Sequence, residues 1–157
     1  MKRIITGIVV ILCFIFYSGC SSSNSVEINI DMQALQSKIE SAGLFSDTLE
    51  RITKESVLSS VLFLTPGNIE TSMLYMGSGY TGEEYALFIC VSEEAAKQLT
   101  EELMTRVDTQ KAIYADYAPD AIPRLNNALI KQQGKYVVYV VADKHAQALK
   151  IVEENFK

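Results

Sequence analysis

The spacing of hydrophobic and polar positions along residues 26–157 predicts a single α+β domain. Apolar residues recurring every three to four positions predict four helices, over 31–42, 92–114, 121–132 and a segment that Asp143 caps. Alternation at every second position predicts strands over 69–77, 84–91 and 135–142. We therefore expect a small antiparallel or mixed sheet of about three or four strands, packed against several helices.

The segment between the first helix and the first strand is ambiguous. Phe45, Leu49 and Ile52 suggest a short helical turn, whereas residues 57–62 fit either a second short helix or a buried strand. Periodicity alone does not distinguish these two alternatives for so short an apolar run.

The glycine-rich loop at residues 77–82 separates two predicted strands. A phosphate-binding loop needs a helix N-terminus directly behind it, and here a strand follows, so we expect the plain turn of an antiparallel hairpin. Tyr80, at the tip of this loop, is the tyrosine that we expect at the surface. In the strand over 135–142 both faces are apolar, which indicates an interior strand covered on both sides.

The first twenty residues have the order of a secretory signal. Lys2 and Arg3 precede an uncharged apolar run over 4–17, and small residues follow. The run is 14 residues long, whereas a helix that spans a bilayer needs about 20. A permanent transmembrane helix is therefore the weaker alternative.

A cysteine directly after Ser18 and Gly19 resembles the lipobox of bacterial lipoproteins, although Tyr17 stands where leucine is usual. In that family a diacylglyceryl group is attached to the thiol and a peptidase cuts before the cysteine. The resemblance implies a signal peptide over 1–19, lipid attachment at Cys20 and a short tether up to residue 25. An ordinary signal peptide with an incidental cysteine is the alternative.

A diacylated cysteine would hold the protein stably on the outer face of the cell membrane, because two acyl chains suffice for lasting attachment. The Ser/Asn stretch at 21–25 contains no residue able to bury apolar surface and is read as a flexible tether. At about 3.5 Å per extended residue it reaches no more than about 17 Å. The domain at 26–157 should therefore work close to the bilayer.

The exported chain is acidic. Removal of residues 1–19 takes away Lys2 and Arg3, which leaves 12 of the 14 basic side chains against all 19 acidic ones, a formal net charge of −7. Such a surface repels phosphates, and the sequence contains no Lys/Arg cluster, so nucleic acid is excluded as a partner.

The cysteines and the histidine offer little chemistry. Cys13 leaves with the signal, Cys20 is the lipid attachment residue, and Cys90 stands alone among apolar neighbours that suggest a buried thiol. His145 is the only histidine. Neither a zinc site nor a Cys–His pair can be assembled from this set, and we expect no metal and no cofactor.

Arg106 and Gln110 fall in the middle of the apolar stripe of the long helix over 92–114. Arginine is almost never fully buried without a partner. One hypothesis is a structural contact with backbone carbonyls or with an acid such as Glu84 or Asp116. The other is a small site for an anionic or amide-bearing group, with Arg106, Gln110 and Tyr117 as candidate binding residues.

Several short motifs occur in an order that carries a resemblance: Glu84-Tyr85-Ala86-Leu87-Phe88, Arg106 with Gln110, Tyr117-Ala118-Pro119, and Asn126-Asn127-Ala128-Leu129-Ile130 ahead of Gly134-Lys135-Tyr136-Val137. Over residues 30–157 the chain resembles an uncharacterised lipoprotein family of Firmicutes, domain of unknown function four-three-five-eight. The resemblance implies a Gram-positive cell surface and a lipid anchor, and it implies no activity. The residues at the pattern positions of that family are Arg106, Gln110, Tyr117, Pro119 and Gly134.

Two classes of function remain. We favour a non-catalytic binding or accessory module that meets an unknown protein or small ligand at the cell surface, because the sequence has no nucleophile elbow, phosphate loop or metal-ligand spacing. The alternative is a small surface hydrolase that uses paired carboxylates. Its candidate residues are Glu83, Glu84, Asp116 and Asp120.

Overall fold

Residues 28–156 are described in the computed structural model, and they form a five-stranded antiparallel sheet with helices against both faces. The predicted α+β class is confirmed, with five strands instead of three or four. The signal segment, Cys20 and the tether lie outside the described residues. The elements are α1 (Met32–Ser41), β1 (Glu50–Ile52), α2 (Ser56–Ser60), β2 (Ile69–Met76), β3 (Glu84–Cys90), α3 (Glu93–Tyr117), α4 (Ile122–Asn126), β4 (Leu129–Gln133), β5 (Tyr136–Val141) and α5 (His145–Asn155), with short 3₁₀ turns at Pro66–Asn68 and Pro119–Ala121.

The strands lie in the order β1-β2-β3-β5-β4, and every neighbouring pair is antiparallel. β5 is an interior strand, as predicted. Its residues Val137, Tyr139 and Val141 join the core beneath α3, whereas the alternate residues of the strand join the core beneath α1 and α5. Within residues 28–156, no helix combines the length and apolarity that crossing a membrane requires.

The long helix and the first helix begin where their capping residues predict. The Asp31 carboxylate accepts a hydrogen bond from Ala34 N at 2.9 Å, and the Ser92 hydroxyl accepts one from Ala95 N at 3.1 Å. These side chains satisfy backbone N–H groups that have no partner inside the helix. α3 continues three residues beyond the predicted end and stops ahead of Pro119.

The predicted helix over 121–132 is wrong in its second half. Only Ile122–Asn126 is helical, and Leu129–Gln133 is the edge strand β4, which pairs with β5. Gly134 has φ of 54° and opens a two-residue hairpin loop between these strands, a position for which glycine is favoured. Gly134 therefore closes a hairpin and does not terminate a helix.

Two smaller expectations also change. Ile52 belongs to strand β1 and not to a helical turn, while the ambiguous segment after it forms the short helix α2. Asp143 does not cap the last helix, because the N-cap position is Lys144 and no side chain bonds there. The Asp143 carboxylate instead lies 3.3 Å from Arg124 Nη2.

The chain enters the domain at one end of the sheet, and the glycine-rich loop lies at the other. A Cβ on Gly134 would be 3.4 Å from Ile28 Cδ1, which places the first described residue at the β4–β5 turn. We call this the entry end. The loop at 77–82 precedes the first residue of β3, and the seven residues of β3 run about 20 Å from there towards the entry end. We call the opposite side the loop end.

Candidate functional site

Arg106 of α3 and Glu84 of β3 form a buried bidentate ion pair. Arg106 Nε donates to Glu84 Oε1 at 3.0 Å, and Nη2 donates to Oε2 at 2.7 Å. The third nitrogen, Nη1, donates to the carbonyl oxygen of Val61 at 3.0 Å. Glu84 is 2% exposed and Arg106 is 7% exposed. This geometry is the fork-to-carboxylate pairing that gives the strongest hydrogen bonds between side chains.

Tyr139 and Gln110 complete the network around this pair. The Tyr139 hydroxyl donates to Glu84 Oε1 at 2.6 Å. In the orientation of the Gln110 amide that satisfies both of its ends, its nitrogen lies 3.2 Å from Glu84 Oε1 and its oxygen 3.0 Å from Arg106 Nη2. Both carboxylate oxygens and all three guanidinium nitrogens therefore have partners within the described residues.

The charges of this network stabilise the protonated forms of Arg106 and Tyr139. Burial by itself lowers the pKa of Arg106, but the charge and hydrogen bonds of Glu84, together with the smaller effect of Tyr139, outweigh it, so the pKa is raised above its usual value. Burial raises the pKa of Tyr139 well above its usual value, and the nearby Glu84 charge adds to this effect. Tyr139 therefore remains a hydrogen-bond donor, and Arg106 remains charged, at neutral pH.

The three candidate binding residues do not lie together. Arg106 and Gln110 share the buried network, and its acid is Glu84 and not Asp116, which is exposed. Tyr117 lies at the loop end, where its hydroxyl donates to the carbonyl oxygen of Gly79 at 2.9 Å.

The Asp47 side chain holds the glycine-rich loop through hydrogen bonds. Its Oδ2 accepts hydrogen bonds from Ser78 N at 2.8 Å, from Ser78 Oγ at 2.7 Å and from Thr81 Oγ1 at 3.0 Å. The bonds from Ser78 lower the pKa of Asp47. A Cβ on Gly77 would lie 2.6 Å from the same Oδ2 and 3.0 Å from the carbonyl oxygen of Glu83, so a larger residue here would displace the Asp47 carboxylate from these hydrogen bonds. The loop is a fixed turn, and Tyr80 at its tip is 74% exposed.

Glu83 is a second buried carboxylate, next to Glu84 in sequence but with different partners. It is 2% exposed and accepts hydrogen bonds from Ser46 N, Ser46 Oγ, Asp47 N and Asp143 N at 2.7–3.1 Å. Arg124 Nε lies 3.8 Å away. Glu83 thereby joins the segment between α1 and β1 to the end of β5.

A cleft of about 570 Å³ opens between β1, α2 and the glycine-rich loop. Its apolar lining comes from Ile52, Val57, Val61 and Met76, and its other lining residues include Asp47 and Glu50. Met76 pairs directly with Glu84 across the sheet, so the cleft lies beside the buried ion pair.

The other groups weighed from the sequence offer little reactivity. Cys90 is buried, as predicted, and burial raises the pKa of its thiol to about 11, so the reactive thiolate is scarce at neutral pH. Between residues 28 and 156, no three or more His, Cys, Asp or Glu side chains are grouped so as to hold a metal ion.

Comparison with known proteins gives a family but no activity. No curated protein and no solved structure is significantly similar to this chain. The family model described as Domain of unknown function (DUF4358) matches residues 46–142, more than half of the 157 residues. The match contains the Arg106 network, Glu83 and the glycine-rich loop, and it ends directly after β5. The chain belongs to the family described as Domain of unknown function (DUF4358).

Proposed function

We propose that this protein is a lipoprotein anchored through Cys20 to the outer face of a Gram-positive cell membrane, and that its domain is a non-catalytic binding or accessory module. The anchor rests on the signal-like residues 1–19 and the cysteine that follows them. The partner would be a protein or small ligand at the cell surface, and the acidic charge argues against nucleic acid.

The fixed loop that presents Tyr80 is the observation that carries the binding role. Asp47 holds this loop through Ser78 and Thr81, and the Tyr117 hydroxyl holds it at Gly79 O. A surface that is ordered before binding loses little conformational entropy when a partner docks. Tyrosine is also enriched at recognition surfaces, because it combines an apolar ring with a polar tip.

Two exposed side chains of α3 extend the surface that Tyr80 begins. Tyr80, Tyr117 and Ile113 are each more than half exposed, and Ile113 lies one helical turn before Tyr117 on α3. We call these three residues the loop-end surface. The chain enters the domain at the opposite end of the sheet. This arrangement therefore favours a partner that binds the domain on the side facing away from the lipid anchor.

The placement of the candidate carboxylates favours binding over hydrolysis. Glu83 and Glu84 are buried and engaged with separate sets of donors. Asp116 and Asp120 are exposed. A general acid and a general base must both reach the reacting group of a substrate. Glu83 and Glu84 are too deeply buried in this arrangement to reach one.

The lipid anchor predicts a modified N-terminus. Mass spectrometry of the protein from its native membrane should find a mature chain that begins at Cys20 and carries a diacylglyceryl group on the thiol. The protein should stay with the membrane fraction in high salt, because acyl chains and not charges hold it. A Cys20→Ser variant should lack the modification. An unmodified Cys20 thiol in the native protein would contradict the anchor.

The binding role predicts a position-dependent cross-link on intact cells. A Tyr80→p-benzoylphenylalanine variant should give a discrete adduct heavier than the chain after illumination. Adding Tyr117→Phe, which keeps the ring but removes the hydroxyl that holds Gly79 O, should reduce the adduct several-fold. Position 91 is the matched control, because Val91 is 58% exposed and lies at the entry end. The same adducts at both positions, or none at position 80, would contradict the proposal.

A further inference from the structure

Three aromatic side chains stack on the α1 side of the sheet, close to the loop end. Tyr75 of β2 and Tyr85 of β3 are direct cross-strand partners, and their ring centroids lie 4.6 Å apart at an interplanar angle of 7°. Phe45, from the segment between α1 and β1, also stacks on Tyr85, with a centroid distance of 5.6 Å. Tyr85 is 1% exposed, whereas Phe45 and Tyr75 are only partly buried. The faces of such rings carry partial negative charge.

A cavity of about 290 Å³ opens on this stack. Besides the three rings, its lining residues are Glu40, Gly43, Asp47 and Leu49. None of these seven described residues is basic. The Asp47 carboxylate is already engaged by Ser78 and Thr81 of the glycine-rich loop, so the charge that the cavity offers to a ligand comes from Glu40.

The Glu40 carboxylate carries its charge beside the aromatic stack. Its Oε1 accepts hydrogen bonds from Gln36 Nε2 at 3.0 Å and from the Tyr85 hydroxyl at 2.9 Å. The bond from Gln36 lowers the pKa of Glu40 the most, and the bond from Tyr85 adds to it, which outweighs the effect of partial burial. The C-terminal end of α1, where the last carbonyl groups carry partial negative charge, reaches the same cavity at Gly43.

We propose that this cavity binds a small organic cation with a quaternary ammonium group. Aromatic rings attract such a cation, and a carboxylate of opposite charge strengthens the attraction. A quaternary ammonium group donates no hydrogen bond, which suits a carboxylate whose Oε1 already accepts two. The cavity lies near the loop end, opposite the entry end, which favours a free cation over a headgroup of the anchoring bilayer.

This site is separate from the loop-end surface, because Tyr80, Tyr117 and Ile113 do not line the cavity. It also lies across the sheet from α3, on the face where Tyr75 and Tyr85 join the core beneath α1 and α5. Failure of the cation site would therefore leave the cross-link predicted at position 80 unaffected.

Arg51 supplies a nearby positive charge that opposes a bound cation. It pairs with Tyr75 across the sheet, its side chain is exposed, and its charge contributes to the lowered pKa of Glu40. Arg51 does not line the cavity, so it leaves the space for a ligand open. Removing its charge should therefore strengthen the binding of a cation, a result that a purely structural role of the aromatic stack does not predict.

The site is tested by titrating the full-length protein, purified in an alkyl maltoside detergent, with choline. Amide NMR signals of Gly43, Leu49 and Tyr75 should shift in a saturable manner. The neutral isostere of choline, in which carbon replaces the ammonium nitrogen, should bind about tenfold more weakly or worse. Glu40→Gln should weaken choline binding about tenfold, and Arg51→Gln should strengthen it several-fold. Glu101→Gln, which removes an exposed acid from α3, is the matched control and should leave binding unaltered.

Glycerophosphocholine distinguishes a free cation from a lipid headgroup, because it carries the same ammonium group joined to a phosphate. It should bind more weakly than choline, since Glu40 and Asp47 repel the phosphate. Tighter binding of glycerophosphocholine would overturn the proposal of a free cation.

Four further results would overturn the proposal. They are no choline-dependent shift at these amides, equal binding of the neutral isostere, native affinity in Glu40→Gln, and no gain of affinity in Arg51→Gln. Glu40→Gln keeps an oxygen that can accept from the Tyr85 hydroxyl, so its melting temperature should stay close to the native value. The gain expected for Arg51→Gln tests the site without relying on any loss, which a folding defect could also produce.

Discussion

Replacing Arg106 by alanine is expected to lower the free energy of unfolding by about 3–5 kcal/mol, because it leaves the buried Glu84 carboxylate without its guanidinium partner. Only Tyr139 and Gln110 would still donate to Glu84, and the carbonyl oxygen of Val61 would lose its partner. Urea denaturation followed by circular dichroism gives this value from the midpoint and the m-value.

Two controls separate this buried pair from an ordinary charge contact. Lys111→Ala breaks an exposed ion pair with Asp108 and should cost less than about 1 kcal/mol. The double variant Arg106→Met/Glu84→Leu replaces both charges by apolar groups and should recover most of the stability lost by Arg106→Ala. A loss for Arg106→Ala no larger than that of Lys111→Ala would contradict the prediction.

The same variant distinguishes the two hypotheses that the sequence leaves open for Arg106. If its contacts with Glu84 and Val61 are its whole role, Arg106→Ala should lose stability while the adduct formed at position 80 persists at temperatures where the variant is folded. If Arg106 also serves a ligand, that adduct should weaken even where the variant is fully folded. The structure favours the first outcome, because every guanidinium nitrogen already has a partner in the described residues.

Regular periodicity explains why the long helix and its buried arginine were predictable. Ser92 marks the start of α3, and a 100° rotation per residue places Arg106 on the buried stripe. Burial then requires a partner, and the sequence leaves this open between backbone carbonyls and an acid such as Glu84 or Asp116. The hairpin of β2 and β3 was predictable for a similar reason, since alternation flanks a glycine-rich turn.

The errors lie where local pattern is degenerate. The sequence around Leu129 and Ile130 fits a helix face, but in β4 these two residues point to opposite cores, which only pairing with β5 decides. Gly134 follows the same logic, because a glycine with positive φ ends a helix or opens a hairpin equally well. The sequence groups Tyr117 with Arg106 as a candidate binding residue. In the structure the Tyr117 hydroxyl instead donates to Gly79 O, a contact that depends on the tertiary fold.

Glu83 is the residue whose role the sequence conceals most completely. Three of its four donors are backbone N–H groups. Almost every residue has a backbone N–H, so the sequence does not show which residues supply these donors. From sequence alone Glu83 is one of the candidate carboxylates of a hydrolase, because paired carboxylates can serve as acid and base. Its burial follows from contacts with segments 36 and 60 residues away, at Asp47 and Asp143.

Glu83→Ala is expected to destabilise the domain by about 3–5 kcal/mol, since hydrogen bonds to a charged group contribute about 1.5–3 kcal/mol each and several are lost together. Glu83→Gln should recover only part of this, because its amide nitrogen would face N–H donors. Chemical denaturation measures the loss, and Glu94→Gln, which changes an exposed acid on α3, should stay within about 0.5 kcal/mol of the native value. A Glu83→Gln variant as stable as the native chain would contradict this role.

The effect of Glu83 should extend to the loop end, because Asp47 links the two. Glu83 accepts a hydrogen bond from the backbone N–H of Asp47, and the carboxylate of the same Asp47 accepts one from Ser78. Loss of the first contact frees the segment that supplies the second. Amide hydrogen exchange should therefore accelerate at Asp47 and Ser78 in Glu83→Gln, while α3 near Leu99 keeps its native protection. The adduct formed at position 80 should weaken in parallel. Uniform acceleration over the whole domain would instead indicate global destabilisation, with no specific link between Glu83 and the loop.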